Sequence, residues 1–239
     1  MKIFPRRDGG HNSIVEMIGK LSLIPVVAAM SASCFDHSPS RFRSDVEILR
    51  NHADPNRRAF AATVLGDQGS DARHCLPDLK DALGDKDSMV RVEAAFAIWR
   101  IDPKEIPIAM PVLVKEIDST VSLSANTAMI HLGSIGPAAV DAIPGLTNVL
   151  KRAESCYQRV LAAAALAEID RPNCKLTIPV LREGLKDKQA TQMAAAAALR
   201  RMGPAAREAV PDLKALLLSD DEVARDAASR ALKAIEPPR

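Results

Sequence analysis

The sequence predicts an all-α protein, a right-handed α-solenoid of about six two-helix repeats, and three observations lead to this fold class. Hydrophobic residues make up 47% of the 239 residues and aromatic residues only 3%, so the apolar mass is aliphatic and suits close helix packing better than a β-sheet. Prolines recur 34, 33, 35 and 32 residues apart in similar segments, which indicates internal duplication. Apolar residues after each of these segments recur at helical spacing. The recurring prolines are Pro77, Pro111, Pro144, Pro179 and Pro211.

The amino-terminal element, residues 1–33, is predicted to be a signal peptide or a disordered extension. Its apolar run at 21–32 has the length of a signal-peptide core and is shorter than the roughly 20 residues of a membrane-spanning helix. Small residues precede Cys34, and the segment resembles a bacterial lipoprotein signal, which makes Cys34 the candidate lipidation site. We expect export to the cell envelope or periplasm, with membrane contact only through that lipid. A cytoplasmic protein with an amino-terminal extension is the alternative.

Residues 34–42 are polar and are predicted to be a linker, and residues 43–236 to form the solenoid. Each proline segment is predicted to open a first helix, because proline lacks an N–H that the first turn leaves unbonded in any case. The segment that follows is predicted to be a second, antiparallel helix. Gly136-Pro137 and Gly203-Pro204 mark two of the points where such a second helix ends.

One column of the aligned second helices contains alanine in every repeat. Further apolar residues lie three or four positions later, so the pattern is that of one buried helix face. We expect this stripe to be buried, with the small alanine side chains at the closest approach between helices. The six alanines are Ala61, Ala94, Ala128, Ala162, Ala195 and Ala228.

The recurring pattern GPxAxxAVPxLxxLLxDxxxxxRxxAAxAL resembles the HEAT-repeat family, especially the short bacterial repeats grouped with the phycobilisome-lyase type. The resemblance covers roughly residues 44 to 236. It implies a solenoid whose second helices line a concave surface, and such solenoids mostly serve as binding scaffolds.

Acidic residues begin several second helices, and an arginine follows four residues later. The acid can cap free N–H groups, and the arginine can fold back on it or reach an acid of the neighbouring repeat. Similar ladders join repeats in the HEAT family, and a ligand-facing anion site is the alternative. Val121 and Ala125 interrupt the ladder in the third repeat, and Lys188 and Gln192 in the fifth, so we expect these repeats to be less firmly joined. The ladder residues are Asp54, Arg58, Asp87, Arg91, Arg159, Asp221 and Arg225.

Charge and motif content argue against several classes of function. Thirty-two basic residues against 30 acidic ones leave a net charge of +2, without the basic excess of a nucleic-acid-binding protein, so we expect no nucleic-acid partner. The sequence has no CxxC, HxxxH or HExxH motif, and no metal site is predicted. It also lacks the His-Glu dipeptide that supplies the iron ligands of deoxyhypusine hydroxylase, a HEAT-type enzyme. No catalytic residue and no cofactor are therefore predicted.

The second helices of the second and third repeats carry the candidate partner-binding site. Phe96 and Trp99 lie one turn apart with Arg100 beside them, and an aromatic residue next to an arginine is typical of interface hot spots. The alternatives are that the two aromatic residues fill the gap between repeats and that His131 is a hydrogen-bonded interior histidine. The candidate residues are Phe96, Trp99, Arg100, Asn126, Ile130 and His131.

The function predicted from these features is that of a non-catalytic scaffold or adaptor that binds a protein partner. A phycobilin-lyase-like or tetrapyrrole-handling protein is the alternative. That function would need a pocket for a large apolar pigment with basic groups for its propionates, and only the region of Trp99, Arg100 and His131 could supply one.

Overall fold

The computed structural model describes residues 42–119 and 122–236. The predicted signal segment 1–33, the candidate lipidation site Cys34 and the linker before Phe42 lie outside these residues. The helices in chain order are α1 Arg43–Asn51, α2 Pro55–Asp67, α3 Leu76–Ala82, α4 Ser88–Ile101, α5 Ile106–Glu116, α6 Ser122–Ile135, α7 Ile143–Arg152, α8 Cys156–Ile169, α9 Ile178–Gly184, α10 Gln189–Met202, α11 Val210–Leu216 and α12 Glu222–Ile235. Short 3-10 helices precede α3, α5, α7, α9 and α11, namely Gly69–Cys75, Pro103–Glu105, Gly136–Ala142, Arg171–Thr177 and Gly203–Ala209.

The described helices form six consecutive pairs, which we number repeat 1 (α1 and α2) to repeat 6 (α11 and α12). Each odd-numbered helix packs on the even-numbered helix of its own repeat, and each even-numbered helix also packs on those of the neighbouring repeats. No strand occurs in the described part of the chain. The predicted all-α solenoid of two-helix repeats is thus confirmed.

The alanine column lies where the even-numbered helices meet. All six alanines are at most 1% exposed, so the predicted buried stripe is confirmed. Two glycines five residues beyond this column mark the closest contacts. An ideal Cβ on Gly66 would lie 2.8 Å from the Cα of Ala97, and one on Gly133 would lie 3.2 Å from the Cα of Ala165. Small side chains at these positions let neighbouring helices approach closely.

Three glycines end second helices in a left-handed backbone conformation. Gly69, Gly136 and Gly203 have φ angles of 57°, 68° and 58°, a region that side chains with a Cβ rarely adopt. The ends of α6 and α10 predicted at Gly136 and Gly203 are confirmed. The chain then enters the 3-10 turn that leads to the next repeat.

Four of the five recurring prolines are the second residue of a first helix, as predicted: Pro77, Pro144, Pro179 and Pro211. The prediction is wrong for Pro111, which lies inside α5. The 3-10 turn before α5 spans only Pro103–Glu105, so α5 begins at Ile106, and Pro107 takes the second position instead.

Phe42, the last residue of the predicted linker, belongs to the buried core. Phe42 is 3% exposed, and its ring centroid lies 5.3 Å from that of His74. In the part of the chain that the structure describes, no helix is long and apolar enough to cross a membrane.

Candidate functional site

An aromatic stack joins repeats 2 and 3. Phe96 and Trp99 on α4 have ring centroids 5.4 Å apart with planes 22° from parallel. The ring of His131 on α6 also stacks on Phe96, with a centroid separation of 3.8 Å and an interplanar angle of 7°. Phe96 and Trp99 are half-buried and His131 is 7% exposed. We call Phe96, Trp99 and His131 the aromatic cluster.

A carboxylate fixes the histidine of the aromatic cluster. Nε2 of His131 lies 3.3 Å from Oε1 of Glu93, and the hydroxyl of Thr63 on α2 donates to Oε2 of Glu93 at 3.0 Å. Burial alone would raise the pKa of Glu93, but His131, Thr63 and Arg100 outweigh it and leave the pKa below its ordinary value. Glu93 is therefore a carboxylate at neutral pH and ties three consecutive repeats together.

Arg100 flanks the aromatic cluster and is itself held by an acid. Its guanidinium carbon lies 5.8 Å from the ring centroid of Phe96, within the range of a cation–π contact. Its Nη1 donates to Asp67 at the end of α2. Arg100 is thus positioned both by its own repeat and by the preceding one.

The remaining two predicted site residues, Ile130 and Asn126, lie in different surroundings. Ile130 occupies in α6 the position that Phe96 occupies in α4 and packs, half-buried, against the core. Asn126 instead occupies the column of Val92 and Val160, which are fully buried, and its Oδ1 is buried without a hydrogen-bond partner. The structure therefore brings Phe96, Trp99, Arg100 and His131 together, whereas Asn126 is half-buried with a buried Oδ1.

The predicted ladder acids cap helices. Asp54, Asp87 and Asp221 accept hydrogen bonds from the amides of Asn56, Met89 and Val223, each at 2.9 Å. The ladder arginines contact other groups. Nη1 of Arg58, Arg91, Arg159 and Arg225 donates to the two carbonyl groups five and six residues earlier, with N···O distances of 2.7–3.2 Å. The arginines therefore close the turn between the two helices of their own repeat.

Three of these arginines also reach an acid of the next repeat. Arg58 pairs with Asp85 at 2.8 Å, Arg91 with Glu116 at 2.6 Å and Arg159 with Glu183 at 2.6 Å. In the described contacts none of the four ladder arginines forms an ion pair with the residue four positions before it, so of the two geometries expected from the sequence the ladder shows only the second, the contact with the neighbouring repeat.

Two sets of acidic partners were not predicted, although the repeat spacing contains a signal for each. Glu116 and Glu183 both lie 12 residues before the buried alanine of their repeat, near the carboxyl ends of first helices. Asp67 and Glu168 both lie six residues after that alanine, as Arg100 and Arg201 do in the repeats that follow. Arg201 donates to Glu168 of the preceding repeat at 2.6 Å, as Arg100 does to Asp67.

The described residues contain no group of three or more His, Cys, Asp or Glu side chains that could hold a metal ion. The candidate site offers the aromatic rings of Phe96 and Trp99, the ion pair of Arg100 with Asp67 and the hydrogen bond between His131 and Glu93.

The paired helices, the alanine column and the capped turns define a class of protein, the two-helix repeat solenoids. The sequence profile of HEAT repeats matches residues 46–130 and 143–233, which is more than half of the chain. The chain belongs to the HEAT-repeat family.

Solved structures share the fold. An engineered protein determined by the Northeast Structural Genomics Consortium is 26% identical, with a TM-score of 0.51 over 82% of this chain and 96% of that chain. The complex of CpcE and CpcF of phycocyanin lyase from Nostoc sp. PCC7120 contains a chain that is 24% identical, with a TM-score of 0.53 over 82% of both chains. Comparison with curated protein sequences gives no match.

Proposed function

We propose that this protein is a non-catalytic scaffold that binds a protein partner through the aromatic cluster and its neighbours on α4 and α6. The observation that carries the proposal is the stack of Phe96, Trp99 and His131 beside Arg100. Aromatic residues and arginine dominate the binding energy of protein interfaces. HEAT-repeat solenoids offer such surfaces on a fixed helical framework.

The contacts of the cluster support binding with little loss of side-chain freedom. His131 is held by Glu93, and Arg100 is held by Asp67. Side chains that are already ordered lose less conformational entropy when a partner arrives.

The same pairing favours a protein partner over a tetrapyrrole. A pigment propionate needs a cation that is not already neutralised, whereas Arg100 pairs with Asp67, and the Glu93 carboxylate beside His131 would repel a second carboxylate. Titration with haem, followed by absorbance, tests this preference. We expect no saturable spectral shift, and a stoichiometric shift that disappears in Trp99→Ala would favour tetrapyrrole binding instead.

The partner itself is to be captured by crosslinking from the envelope fraction of the source cell, identified by mass spectrometry and purified. We expect Trp99→Ala to weaken its affinity by about 2 kcal/mol, roughly 30-fold. Leu176→Ala is the control, because Leu176 is 77% exposed but lies on the turn between α8 and α9. Equal affinities of the wild type and Trp99→Ala, with both proteins folded, would refute the proposed site.

We propose further that the protein acts in the cell envelope or periplasm and is tethered by a lipid on Cys34. The support is the apolar run at 21–32 followed by small residues and this cysteine. Mass spectrometry of the membrane fraction should find a mature chain that begins with a lipidated Cys34, and Cys34→Ala should abolish the modification. An intact Met1 terminus on a protein from the cytosol would contradict this location.

A further inference from the structure

The first repeat exposes a helix face that other repeats pack against a neighbour. In a second helix, the residues four before, one before and three after the buried alanine lie toward the preceding repeat. The contacts that establish this direction are those of Ser124 with Ser88 at 2.6 Å, of Glu93 with Thr63 at 3.0 Å and of Ala165 with Gly133.

In repeat 1 the same three positions are Arg57, Phe60 and Val64 on α2. Phe60 is 67% exposed, Arg57 is exposed and Val64 is half-buried. The three residues of repeat 5 at these positions are at most 7% exposed. No described helix precedes α1, so an aromatic ring lies on the side where another repeat would pack.

A carboxylate on α1 extends this face. Asp45, Asp78 and Asp212 each lie 16 residues before the buried alanine of their repeat. Asp78 pairs with Arg50 of the preceding repeat, and Asp212 pairs with Arg182 of the preceding repeat. Asp45 is half-buried, and burial raises its pKa above the ordinary value. Asp45 therefore occupies a position that receives a cation from a neighbouring repeat elsewhere in the array.

The opposite end of the array has a different character. In a second helix, the residues six before, two after and five after the buried alanine lie toward the following repeat, as the same three contacts show. In repeat 6 these positions are Glu222, Arg230 and Lys233. A polar outer face is the property of a terminal capping repeat, so this end disfavours head-to-tail stacking of copies.

We propose that Asp45, Arg57, Phe60 and Val64, which we call the amino-terminal face, bind the same face of a second copy of this chain in a twofold dimer. A twofold contact needs a self-complementary surface. This face has one acid and one cation, and none of the described ion pairs includes either residue. Asp45 of each copy pairs with Arg57 of the other, and Phe60 supplies the aromatic anchor.

Such a dimer carries two copies of the aromatic cluster. Trp99 and Arg100 lie on α4, outside the amino-terminal face, and stay available to a partner. Linked binding sites raise the overall affinity for a partner with repeated segments without any new contact. Only this consequence rests on the proposed function, since the dimer itself does not require the aromatic cluster.

Sedimentation equilibrium of the full chain over a wide range of concentrations tests the dimer. We expect a reversible monomer–dimer equilibrium. Phe60→Glu should raise the dissociation constant at least tenfold, because it places a carboxylate from each copy in the contact. Leu218→Glu is the matched control in repeat 6, since Leu218 is 86% exposed, and it should leave the dissociation constant unchanged.

A charge exchange tests the pairing of Asp45 with Arg57. Asp45→Arg and Arg57→Asp should each weaken the dimer at least tenfold, because each brings like charges together across the contact. The double variant restores opposite charges and should recover the wild-type dissociation constant to within threefold. Should Asp45→Arg not fold, Phe60→Glu at its exposed position still tests the contact.

A full chain that stays monomeric at every concentration would overturn the inference, as would a dimer that Phe60→Glu and the charge variants leave unchanged. If the chain is monomeric and Phe60→Glu lowers its melting temperature, the face is covered from within the chain and the second copy is refuted. Trp99→Ala should leave the dimer intact. An intact dimer whose affinity for the captured partner does not depend on Trp99 would refute the proposed site alone.

Discussion

Arg58 and Asp85 form a two-point ion pair across the boundary between repeats 1 and 2. Nε donates to Oδ2 and Nη2 donates to Oδ1, each at 2.8 Å. Nη1 of the same arginine donates to the carbonyl groups of His52 and Ala53. A single side chain, 5% exposed, therefore closes a turn of one repeat and attaches the next repeat to it.

Replacing this arginine should be far more costly than replacing an exposed one. We expect Arg58→Met to lower the free energy of unfolding by about 3–5 kcal/mol, because it leaves the Asp85 carboxylate and two carbonyl groups without their partner. Arg100→Met removes the partly exposed pair with Asp67 and should cost about 1 kcal/mol or less. Urea unfolding of both variants measures the difference, and equal losses would contradict the role given to Arg58.

Acid should weaken the same boundary. Burial would raise the pKa of Asp85, but the hydrogen bonds from Arg58 and the amide of Asp87 outweigh it and lower the pKa. The unfolded chain then binds a proton at Asp85 more tightly than the folded protein does. The stabilisation that the ionised Asp85 provides is therefore present above the unfolded pKa of about 3.9 and is lost as the pH falls through the lower folded pKa.

Urea midpoints measured from pH 7 to pH 2.5 test this direction. The wild type should lose stability mainly below about pH 4, the ordinary pKa range of an aspartate. Asp85→Asn should lose less over the same interval, because it has no carboxylate to protonate at this boundary. If the urea midpoints of the two proteins fall in parallel as the pH is lowered, Asp85 does not contribute to the acid sensitivity.

The alanine column predicts that two alanines of one helix respond differently to the same substitution. Ala195 on α10 is 0% exposed and Ala190, in the first turn of the same helix, is exposed. Ala195→Leu should overfill the contact between helices and cost about 1–3 kcal/mol, whereas Ala190→Leu should change stability by about 0.5 kcal/mol or less. Thermal unfolding followed by circular dichroism compares them. Similar melting temperatures would mean that the assigned helical face is wrong.

Two glycines at the helix contacts should respond unequally to alanine. A Cβ on Gly66 would lie 2.8 Å from backbone of α4, whereas one on Gly133 would lie 3.2 Å from backbone of α8. Alanine favours a helix over glycine by about 1 kcal/mol, which can offset the milder contact but not the severe one. We expect Gly66→Ala to melt lower than Gly133→Ala, and the reverse order would contradict the packing described.

Asn126 should be replaceable with a gain in stability. Its buried Oδ1 has no partner, and a buried polar group without a hydrogen bond costs about 1–3 kcal/mol. Valine occupies the equivalent position in α4 and α8, so Asn126→Val should raise the free energy of unfolding by about 1 kcal/mol. Asn126→Asp is the matched control and should destabilise the protein. A loss of stability in Asn126→Val would indicate that the amide has a partner in solution.

The architecture could be predicted from the sequence because the same apolar pattern recurs in six repeats. The buried faces, the helix ends at Gly136 and Gly203 and four of five proline positions followed from spacing alone. Pro111 did not, because the additional Pro107 one turn earlier moved the start of α5.

The candidate site was predicted less completely than the fold, since side-chain partners depend on which columns face each other across repeats. Phe96 and His131 were both identified, but their stacking and the carboxylate of Glu93 between repeats were not. The column of Asn126 contains the buried Val92 and Val160 but also the exposed Asp226, so the column alone did not decide how far Asn126 is buried.

The interrupted ladder also sets how the array behaves as a chain of coupled units. Ion pairs join repeats 2 and 3 through Arg91 and Glu116, and repeats 4 and 5 through Arg159 and Glu183, whereas no described ion pair joins repeats 3 and 4. In a linear array, cooperativity is the sum of nearest-neighbour couplings, and unfolding separates first at the weakest of them. Because Ala125 and Leu150 leave the boundary between repeats 3 and 4 to the apolar packing of α6 against α8, we expect its coupling, unlike that at Arg91 and Arg159, to be insensitive to salt.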